Sequence, residues 1–388
     1  MPNFVFQKSS KTAGRRGFLQ TKSGKIQTPF FMPIATRGAV KMIEPEEVSG
    51  LGYEIILSNT YHLWRKPGEK VIKKAGGLGQ FMHWPGPILT DSGGYQAFSL
   101  GVRAQTRFGI NGVKITDEGV YFADPENGEK LFLSPEKAIE IQLTLGVDIL
   151  MCLDECPPYS ANKKQIKKAI QRTTSWAQRS LEFFQKKTQN IPEAKRPLLF
   201  AIIQGGIYQD LREQSAQELT KLDFDGFAVG GVAVGEPREK LPEILDWVLP
   251  ILPTNKPRYL MGLGRPEELV LAISRGVDMF DCVIPTREGR HGRFLVWQKE
   301  AKKKIAQIMQ GESFSKNKFY QQENISSEKN KFDQNSLDKK CNCPVCQKFS
   351  RSYLRHLFSV KETLGMKSVA LHNLFFYKEL VERIRENI

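Results

Sequence analysis

Long hydrophobic segments are missing from this sequence. It has no run of about eighteen apolar residues, the length that a helix needs to span a membrane. Its amino-terminal stretch, MPNFVFQKSSKTAGRR, lacks the apolar core of a secretion signal. A nucleotide-binding P-loop is also absent, because GLGQ and GLGR match too little of that motif. We therefore expect a soluble, cytoplasmic protein that does not bind nucleotides through a P-loop.

Acidic residues are scarce relative to basic ones. The 388 residues include 57 Lys and Arg but 42 Asp and Glu, which gives a formal net charge of +15. Such an excess favours an anionic partner, although it carries no information about the fold. The length allows one large domain or two or three small ones.

Cysteine is sparse, and half of it lies in one short segment. The six cysteines are Cys152, Cys156, Cys282, Cys341, Cys343 and Cys346. The first three have apolar neighbours in sequence and are most simply small buried residues. The last three suit thiolate ligation of a metal better than disulfides in a reducing compartment. A Cys₃His zinc site would take its histidine from His356 or His372, and spacing does not decide between them.

Apolar, strand-like runs alternate along the chain with helix-like stretches. The runs are FFMPIATRG (30–38), EIILSNT (54–60), PILTDSGG (87–94), VDILMCLDEC (147–156), PLLFAIIQGG (197–206), DGFAVGGVAVG (225–235), RYLMGLG (258–264) and VDMFDCVIPT (277–286). Most are continuously apolar, as in parallel strands that are covered on both faces. Helix-entry signals at 44–47, 134–136 and 265–268 stand between them. The alternation predicts an α/β fold, namely a (β/α)₈ TIM barrel, with a doubly wound open sheet as the alternative.

Two segments interrupt this alternation. Residues 95–133 contain the turn sequences DEG and ENG, which predict an inserted antiparallel hairpin. Residues 301–340 are rich in Lys, Asn, Ser, Gln and Glu, so we expect a mobile linker, with RNA contact through its lysines as the alternative. We predict a catalytic barrel over 1–300 and a zinc-binding subdomain over 341–388, whose C-terminal helix packs on the barrel.

Polar residues cluster where the predicted strands end. The clusters are Asp91-Ser92-Gly93-Gly94, Asp154-Glu155, Gln204-Gly205-Gly206, Gly230-Gly231 and Asp281. A single acid after a strand is as easily a helix cap, but five such sites favour one shared pocket at the rim of a barrel. Asp91 and Asp281 can divide the work of cleaving a glycosidic bond, one attacking the anomeric carbon and the other moving a proton.

The strand end at Asp281 also runs into a cationic cluster. Arg287, Arg290, His291 and Arg293 follow within a few positions. The simpler interpretation is a strand that leads into a solvated loop. The alternative is a reactive acid whose substrate is a polyanion, because arginines beside it would hold phosphates without reading sequence.

Several motifs occur in a characteristic order. They are DSGGYQ (91–96), LDEC (153–156), IIQGG (202–206), GGVAVGE (230–236), MGLG (261–264), FDCVIPTREGRHG (280–292) and CNCPVC with LHNL. Together they resemble bacterial-type tRNA-guanine transglycosylase over nearly the whole chain. The resemblance implies a TIM barrel with a zinc-bearing insertion, homodimers, and exchange of guanine at the first anticodon position (the wobble position) of tRNA for a 7-deazaguanine in queuosine biosynthesis.

The resemblance also implies roles for single residues. Asp281 would be the nucleophile that forms a covalent bond to ribose, and Asp91 the general acid/base. The implied base-binding residues are Ser92, Gly93, Gly94, Tyr95, Asp154, Gln204, Gly231, Val232 and Met261. The implied RNA-binding residues are Gly262, Leu263, Gly264, Arg265, Pro266, Glu267, Glu268, Thr286, Arg287, Glu288, Gly289 and Arg290. One structural Zn²⁺ per subunit would be held by Cys341, Cys343, Cys346 and His372.

Pocket residues implied by the same resemblance bear on the substrate. Cys156 and Val234 match the narrow pocket of members that use 7-aminomethyl-7-deazaguanine and not free queuine. Val232 stands where leucine is usual, and Glu288 where asparagine is usual. Two alternatives belong to other classes: a catalytically silent RNA-binding subunit of a transglycosylase, and a TIM-barrel glycoside hydrolase.

Overall fold

Eight parallel strands form the centre of the protein in a computed structural model that describes residues 3–96, 113–124 and 126–388. Each strand lies within one of the apolar runs. The strands are β4 (Phe30–Met32), β5 (Ile56–Ser58), β6 (Ile88–Thr90), β10 (Ile149–Met151), β11 (Leu198–Ile203), β12 (Gly226–Val229), β13 (Arg258–Leu260) and β14 (Met279–Asp281). The prediction of eight strands in parallel is confirmed.

The sheet curls into a barrel. Its strand order is β4-β14-β13-β12-β11-β10-β6-β5, so the first two strands of the barrel lie at its two edges. A parallel bridge between Ile34 and Leu57 joins those edges. The Ala35 amide donates to the Leu57 carbonyl at 2.6 Å, and the Leu57 amide donates to the Pro33 carbonyl at 3.0 Å. This order is that of a barrel and excludes the doubly wound open sheet.

Helices connect the strands and cover the barrel. The described helices are α1 (Pro45–Gly50), α2 (Thr60–Arg65), α3 (Glu69–Lys74), α4 (Leu78–Met82), α5 (Pro135–Leu145), α6 (Lys163–Thr188), α7 (Gln209–Leu219), α8 (Leu241–Val248), α9 (Pro266–Ser274), α10 (Ile284–Arg290), α11 (Ala301–Met309), α12 (Pro344–Lys348), α13 (Arg351–Ser359) and α14 (Thr363–Arg385). The helix starts that were predicted at 44–47, 134–136 and 265–268 are confirmed. Pro45, Pro135 and Pro266 stand in first turns, and Ser134 caps α5 by accepting from the Lys137 amide at 3.1 Å.

One end of the barrel is closed by an amino-terminal sheet. Strands β1 (Phe4–Lys8), β2 (Arg15–Thr21) and β3 (Gly24–Thr28) are antiparallel, and Phe4 and Leu19 belong to the hydrophobic cluster that fills the barrel. Arg15 forms a buried ion pair with Asp278, just before β14 begins. Because this sheet covers the amino ends of the strands, the open mouth lies at their carboxyl ends.

The insertion after β6 is a small antiparallel sheet. Strands β7 (Val113–Ile115), β8 (Val120–Ala123) and β9 (Lys130–Leu133) pair in sequence order, which confirms the predicted hairpin and adds a third strand. Residues 97–112 of the predicted insertion lie outside the described residues. The Trp176 indole on α6 donates to the Asp117 carbonyl at 2.7 Å and so holds the first turn of this sheet against the barrel.

The polar segment 301–340 contains a helix and a strand. Strand β16 (Tyr320–Asn324) pairs with β15 (Arg293–Trp297), and α11 buries Ile305. Phe319 and Leu337 are also buried, so apolar residues anchor a segment whose composition is polar. Its mobility and the domain boundary at residue 300 stay predictions, although the β15–β16 pair joins residues on both sides of that boundary. Across the described residues, every helix is too short or too polar to cross a membrane.

Candidate active site

A cavity of about 400 Å³ opens at the carboxyl ends of the barrel strands. Nine of the predicted site residues line it: Asp91, Ser92, Tyr95, Asp154, Gln204, Gly231, Met261, Gly262 and Asp281. They come from the ends of six different strands, β6 and β10 to β14. The interpretation of separate helix caps is therefore disfavoured, because the strand-end residues meet in one pocket.

Asp281, the last residue of β14, lines the cavity with its carboxylate hydrogen-bonded through one oxygen. Its Oδ1 accepts from the Tyr259 hydroxyl at 2.6 Å and from the Gly262 amide at 2.8 Å. Within the described part of the chain, Oδ2 accepts no hydrogen bond. Burial raises the pKa of Asp281, while the Tyr259 and Gly262 donors act against that rise. A carboxylate that is oriented through one oxygen and free at the other can act as a nucleophile.

Asp91, just after β6, is held by more donors. Oδ2 accepts from the Asn59 side chain and from Gln96 Nε2 at 2.8 Å, and Oδ1 accepts from the Thr60 amide at 2.9 Å. Burial raises the pKa of Asp91 to about 6, with a smaller contribution from the charge of Asp281. An acid with this pKa exchanges protons readily near neutral pH, as a general acid/base must.

Asp154 and Gln204 form a polar wall across the cavity. Gln204 Nε2 donates to Asp154 Oδ2 at 2.7 Å, and burial raises the pKa of Asp154 to about 6. Gly231 lies beside them with a φ of +59°, and a Cβ there would stand 2.3 Å from Gln204 Oε1. The wall therefore offers a carboxylate and a closely approaching backbone, which suit the edge of a planar base. Cys156 and Val234 also line this cavity.

Three predicted base-binding residues lie off the cavity wall. Val232 is buried in the hydrophobic core between the barrel and its helices. Gly93 turns the chain with a φ of +81°. Gly94 lines a second cavity of about 440 Å³, which shares Tyr95 and Asp154 with the first. Any contact that these three make with a base stays a prediction.

Several neighbours of the carboxylates were missed by the sequence interpretation. Tyr259 and Asn59 lie in the apolar runs RYLMGLG and EIILSNT, and each donates to a cavity carboxylate. Asn59 carried a signal, since it too follows a strand. Tyr259 carried none, because an aromatic residue within a strand is usually a core residue.

The predicted RNA-binding segments flank the mouth and are only partly exposed. Within 262–268, Gly262 and Arg265 are exposed, whereas Glu268 is buried and paired with Arg238. Within 286–290, Arg287 is exposed and Gly289 packs against α14. The first segment follows β13 and begins at Gly262, whose amide donates to Asp281, and the second lies on α10, which follows β14.

Glu288, the unusual residue of the second segment, is itself paired with cations. It forms an ion pair with Arg293 and lies 3.7 Å from Arg287 Nε. These cations lower the pKa of Glu288 against the opposing effect of burial. The acid therefore neutralises part of the cationic cluster, although the Arg287 side chain is still 52% exposed.

A separate cluster brings three thiols and one imidazole together. The Sγ atoms of Cys341, Cys343 and Cys346 and a ring nitrogen of His372 all lie within 4.8 Å of one another. His372 Nδ1 is 3.3–3.7 Å from the three sulfurs, and its Nε2 is 2.8 Å from the Leu295 carbonyl. The carbonyl fixes the tautomer that leaves Nδ1 for a metal. The cluster can bind a metal ion, and it selects His372 over the exposed His356.

Comparisons with known proteins agree with this architecture. The family model described as "Queuine tRNA-ribosyltransferase" matches residues 9–388. Proteins named queuine tRNA-ribosyltransferase from Vibrio atlanticus and Shouchella clausii are each 46% identical, over 98% of this chain and 91% of their own length. The one from Vibrio campbellii is 46% identical over 100% of this chain and 92% of its own length. The chain therefore belongs to the queuine tRNA-ribosyltransferase family and is a pentosyltransferase.

Proposed function

We propose that this enzyme exchanges guanine at the wobble position of tRNA for 7-aminomethyl-7-deazaguanine. The observation that carries the proposal is the pair of carboxylates, Asp91 and Asp281, that face one cavity from different hydrogen-bonding environments. Asp154, Gln204 and Gly231 supply the base-sized polar wall. Membership of a tRNA-ribosyltransferase family supports tRNA as the substrate.

The proposed reaction proceeds by double displacement. Asp281 Oδ2 attacks the anomeric carbon, the bond from C1′ to the guanine N9 breaks, and an ester between ribose and Asp281 forms. Asp91 in its protonated form gives its proton to N9 of the departing guanine. Asp91 then removes the proton from N9 of the incoming base, which attacks C1′ and releases Asp281. Atoms and charges balance over the two steps, and two inversions give net retention.

Trapping on a denaturing gel tests the nucleophile. Asp281→Ala should form no covalent adduct with tRNA, whereas Asp223→Ala, which changes an exposed aspartate, should form as much adduct as the unchanged protein. Asp91→Asn should still bind tRNA while its exchange of radiolabelled guanine falls by roughly 10²–10⁴-fold. An adduct trapped on Asp281→Ala would remove Asp281 from the mechanism.

The same assays separate the two alternatives. A silent RNA-binding subunit would bind tRNA and incorporate no guanine, and a glycoside hydrolase would release base without replacing it. Both are disfavoured, because the two acids face one cavity and a cationic cluster follows Asp281 in the sequence. Competition of labelled guanine with 7-aminomethyl-7-deazaguanine and with queuine would identify the incoming base.

We propose Zn²⁺ as the ion of the Cys₃His cluster and a structural role for it. Three thiolates and one imidazole complete a tetrahedral set and leave no position for substrate. None of the four residues lines the reaction cavity. When bound, the ion would tie the segment 341–346 to α14. Homodimer formation and a cytoplasmic location stay predictions, and light scattering in solution tests the former.

The exposed cations Arg265 and Arg287 are proposed to hold phosphates on either side of the exchanged nucleotide. Both are exposed; Arg265 lies just before α9 in the segment that follows β13, and Arg287 lies on α10, which follows β14 and Asp281. An anticodon loop suits this arrangement, because its bases leave their stack at lower cost than those of a duplex.

A further inference from the structure

Arg212, on α7, is a fully buried cation that takes no part in the chemistry proposed above. Its side chain is 0% exposed. The guanidinium donates to four backbone carbonyls: to Gly206 at 2.8 Å, to Ile203 at 3.1 Å, and to Gly230 and Gly231 at 2.7 Å each. These carbonyls belong to the ends of β11 and β12 and to the loops that follow. Arg212 thus joins the two loops that carry the polar wall of the cavity.

The burial of this cation is not offset by a hydrogen-bonded carboxylate among the described residues. Burial lowers the pKa of Arg212 to about 10, and the charge of Glu236 opposes that shift. The guanidinium is therefore still charged at neutral pH. Placing a charge in the interior costs free energy unless hydrogen bonds satisfy it, and the four carbonyls supply them. Because this burial is costly, we expect Arg212 to fix the position of a backbone group that the rest of the fold does not fix.

The backbone group that Arg212 fixes is the peptide bond between Gly230 and Gly231. In a planar trans peptide the C=O and N–H bonds point in opposite directions. The Gly230 carbonyl points at Arg212, so the Gly231 amide points away from Arg212. Gly230 and Gly231 both line the reaction cavity and Arg212 does not, which favours the cavity side for this amide.

Given the function proposed above, the chemistry of the base indicates which of its atoms the Gly231 amide would contact. A backbone N–H pairs only with an acceptor, whereas the Asp154 carboxylate pairs only with donors. On the edge remote from the sugar, guanine and 7-deazaguanines share the acceptor O6 and the donors N1–H and the 2-amino group; the deaza bases have no N7, and the acceptor N3 lies on the sugar side. We propose that Arg212 is a positioning residue that fixes the Gly231 amide to read O6 of the base, without touching the base itself.

Inhibition by purine analogues tests this role. The inhibition constants of guanine, 2-aminopurine (which lacks O6 and N1–H) and hypoxanthine (which lacks the 2-amino group) are measured for exchange of labelled guanine, and the contribution of N1–H to the first ratio is the same in the wild-type protein and in the Arg212 variants. In Arg212→Lys and Arg212→Gln, the preference for guanine over 2-aminopurine should fall about tenfold, the loss of one hydrogen bond. The preference over hypoxanthine should stay, because Asp154 is unchanged. The ratio of two inhibition constants does not depend on the fraction of folded protein in a preparation.

Arg258→Lys is the matched control. Arg258 is a second buried arginine, at the amino end of β13, and burial lowers its pKa to about 10 as well. Its substitution should leave both ratios unchanged. The inference is overturned if the Arg212 variants keep the guanine preference, or lose both preferences equally as a loosened pocket would. A wild-type protein that exchanges no base would instead overturn the proposed function, so the two failures are distinguishable.

Discussion

The environment of Asp91 shows how single residues set the chemistry of the cavity. Burial raises its pKa to about 6, while three donors on its two oxygens stabilise the ionised form. At neutral pH the group is therefore largely ionised and still close to its pKa. In the proposed reaction it would take a proton from the incoming base and give one to the departing base with little cost in either direction.

Asn59→Ala should move the acidic limb of the pH–rate profile upward. Asn59 donates to Asp91 and lowers its pKa, so removing the donor raises that pKa above about 6. In the proposed reaction the second displacement needs ionised Asp91, so the rate of this step is lost as pH falls through the pKa of Asp91, whereas the first displacement needs the protonated form. The acidic limb of this second step, measured between pH 5 and pH 8 as the capture of labelled guanine by the preformed covalent intermediate, should therefore lie at higher pH in the variant.

Asn190→Ala, a change at an exposed position, is the control for this profile. The proposed attack also needs ionised Asp281, but Asn59 forms no hydrogen bond with Asp281, so a shift in Asn59→Ala would assign the limb to Asp91. An unshifted limb would show that another group controls it.

Some residues of the site could be predicted from the sequence, and others could not. Asp91, Asp154 and Asp281 could be predicted, because acids that follow apolar strands are conspicuous. Tyr259 and Arg212 could not, because their partners are distant in sequence and their roles depend on which way a buried side chain points. Arg212 sits in the helix sequence QDLREQ, which is typical of a solvated helix face.

Among the elements, α14 joins the metal cluster to the barrel. It contributes His372 to the cluster, and the Tyr377 hydroxyl on the same helix donates to the Gly264 carbonyl at 2.5 Å. A metal ion at the cluster would therefore restrain the helix that packs beneath the predicted RNA-binding segment 286–290.

His372→Ala should lose the metal and lower Tm. Elemental analysis should show about one zinc ion per chain in the wild-type protein and almost none in the variant, because three thiolates alone leave the tetrahedral set incomplete. Exchange by the folded fraction should persist at low temperature, since the ion lies outside the reaction cavity.

His356→Ala provides the comparison for this experiment, as His356 is an exposed histidine on the neighbouring helix α13. It should keep its zinc and its Tm. Equal metal content in both variants, or a metal-free protein of unchanged stability, would contradict a structural zinc site.

The elements differ in how visible they are in the sequence. All eight barrel strands could be predicted, because strands buried on both faces are continuously apolar. Strand β16 could not, since its sequence YQQEN is mostly polar and its pairing with β15 depends on the sheet partner. Helix α11 could not be predicted for a similar reason, because its sequence is rich in lysine and only a few apolar residues anchor it.

At the scale of the whole molecule, the net charge of +15 affects RNA binding through the positions of the basic residues. Arg265 and Arg287 lie at the mouth of the barrel, at the carboxyl ends of the strands. Lys186 and Lys187 lie in the last turn of α6, which leads back to the start of β11 at the opposite end. All four are exposed, so the two pairs carry equal charge at opposite ends of one barrel.

This placement predicts different salt dependences for two double variants of equal net charge. Binding of tRNA to Arg265→Gln/Arg287→Gln should weaken, and the slope of log affinity against log salt should become shallower by about 0.7 for each phosphate that the protein no longer neutralises, as for single-stranded nucleic acid. Lys186→Gln/Lys187→Gln should keep nearly the wild-type slope, because these lysines lie beyond the reach of an anticodon loop at the mouth. Fluorescence anisotropy between about 50 and 200 mM salt measures both. If the two variants changed the slope equally, the tRNA would sense the total charge of the protein and not the arginines beside Asp281, and the proposed phosphate contacts would be wrong.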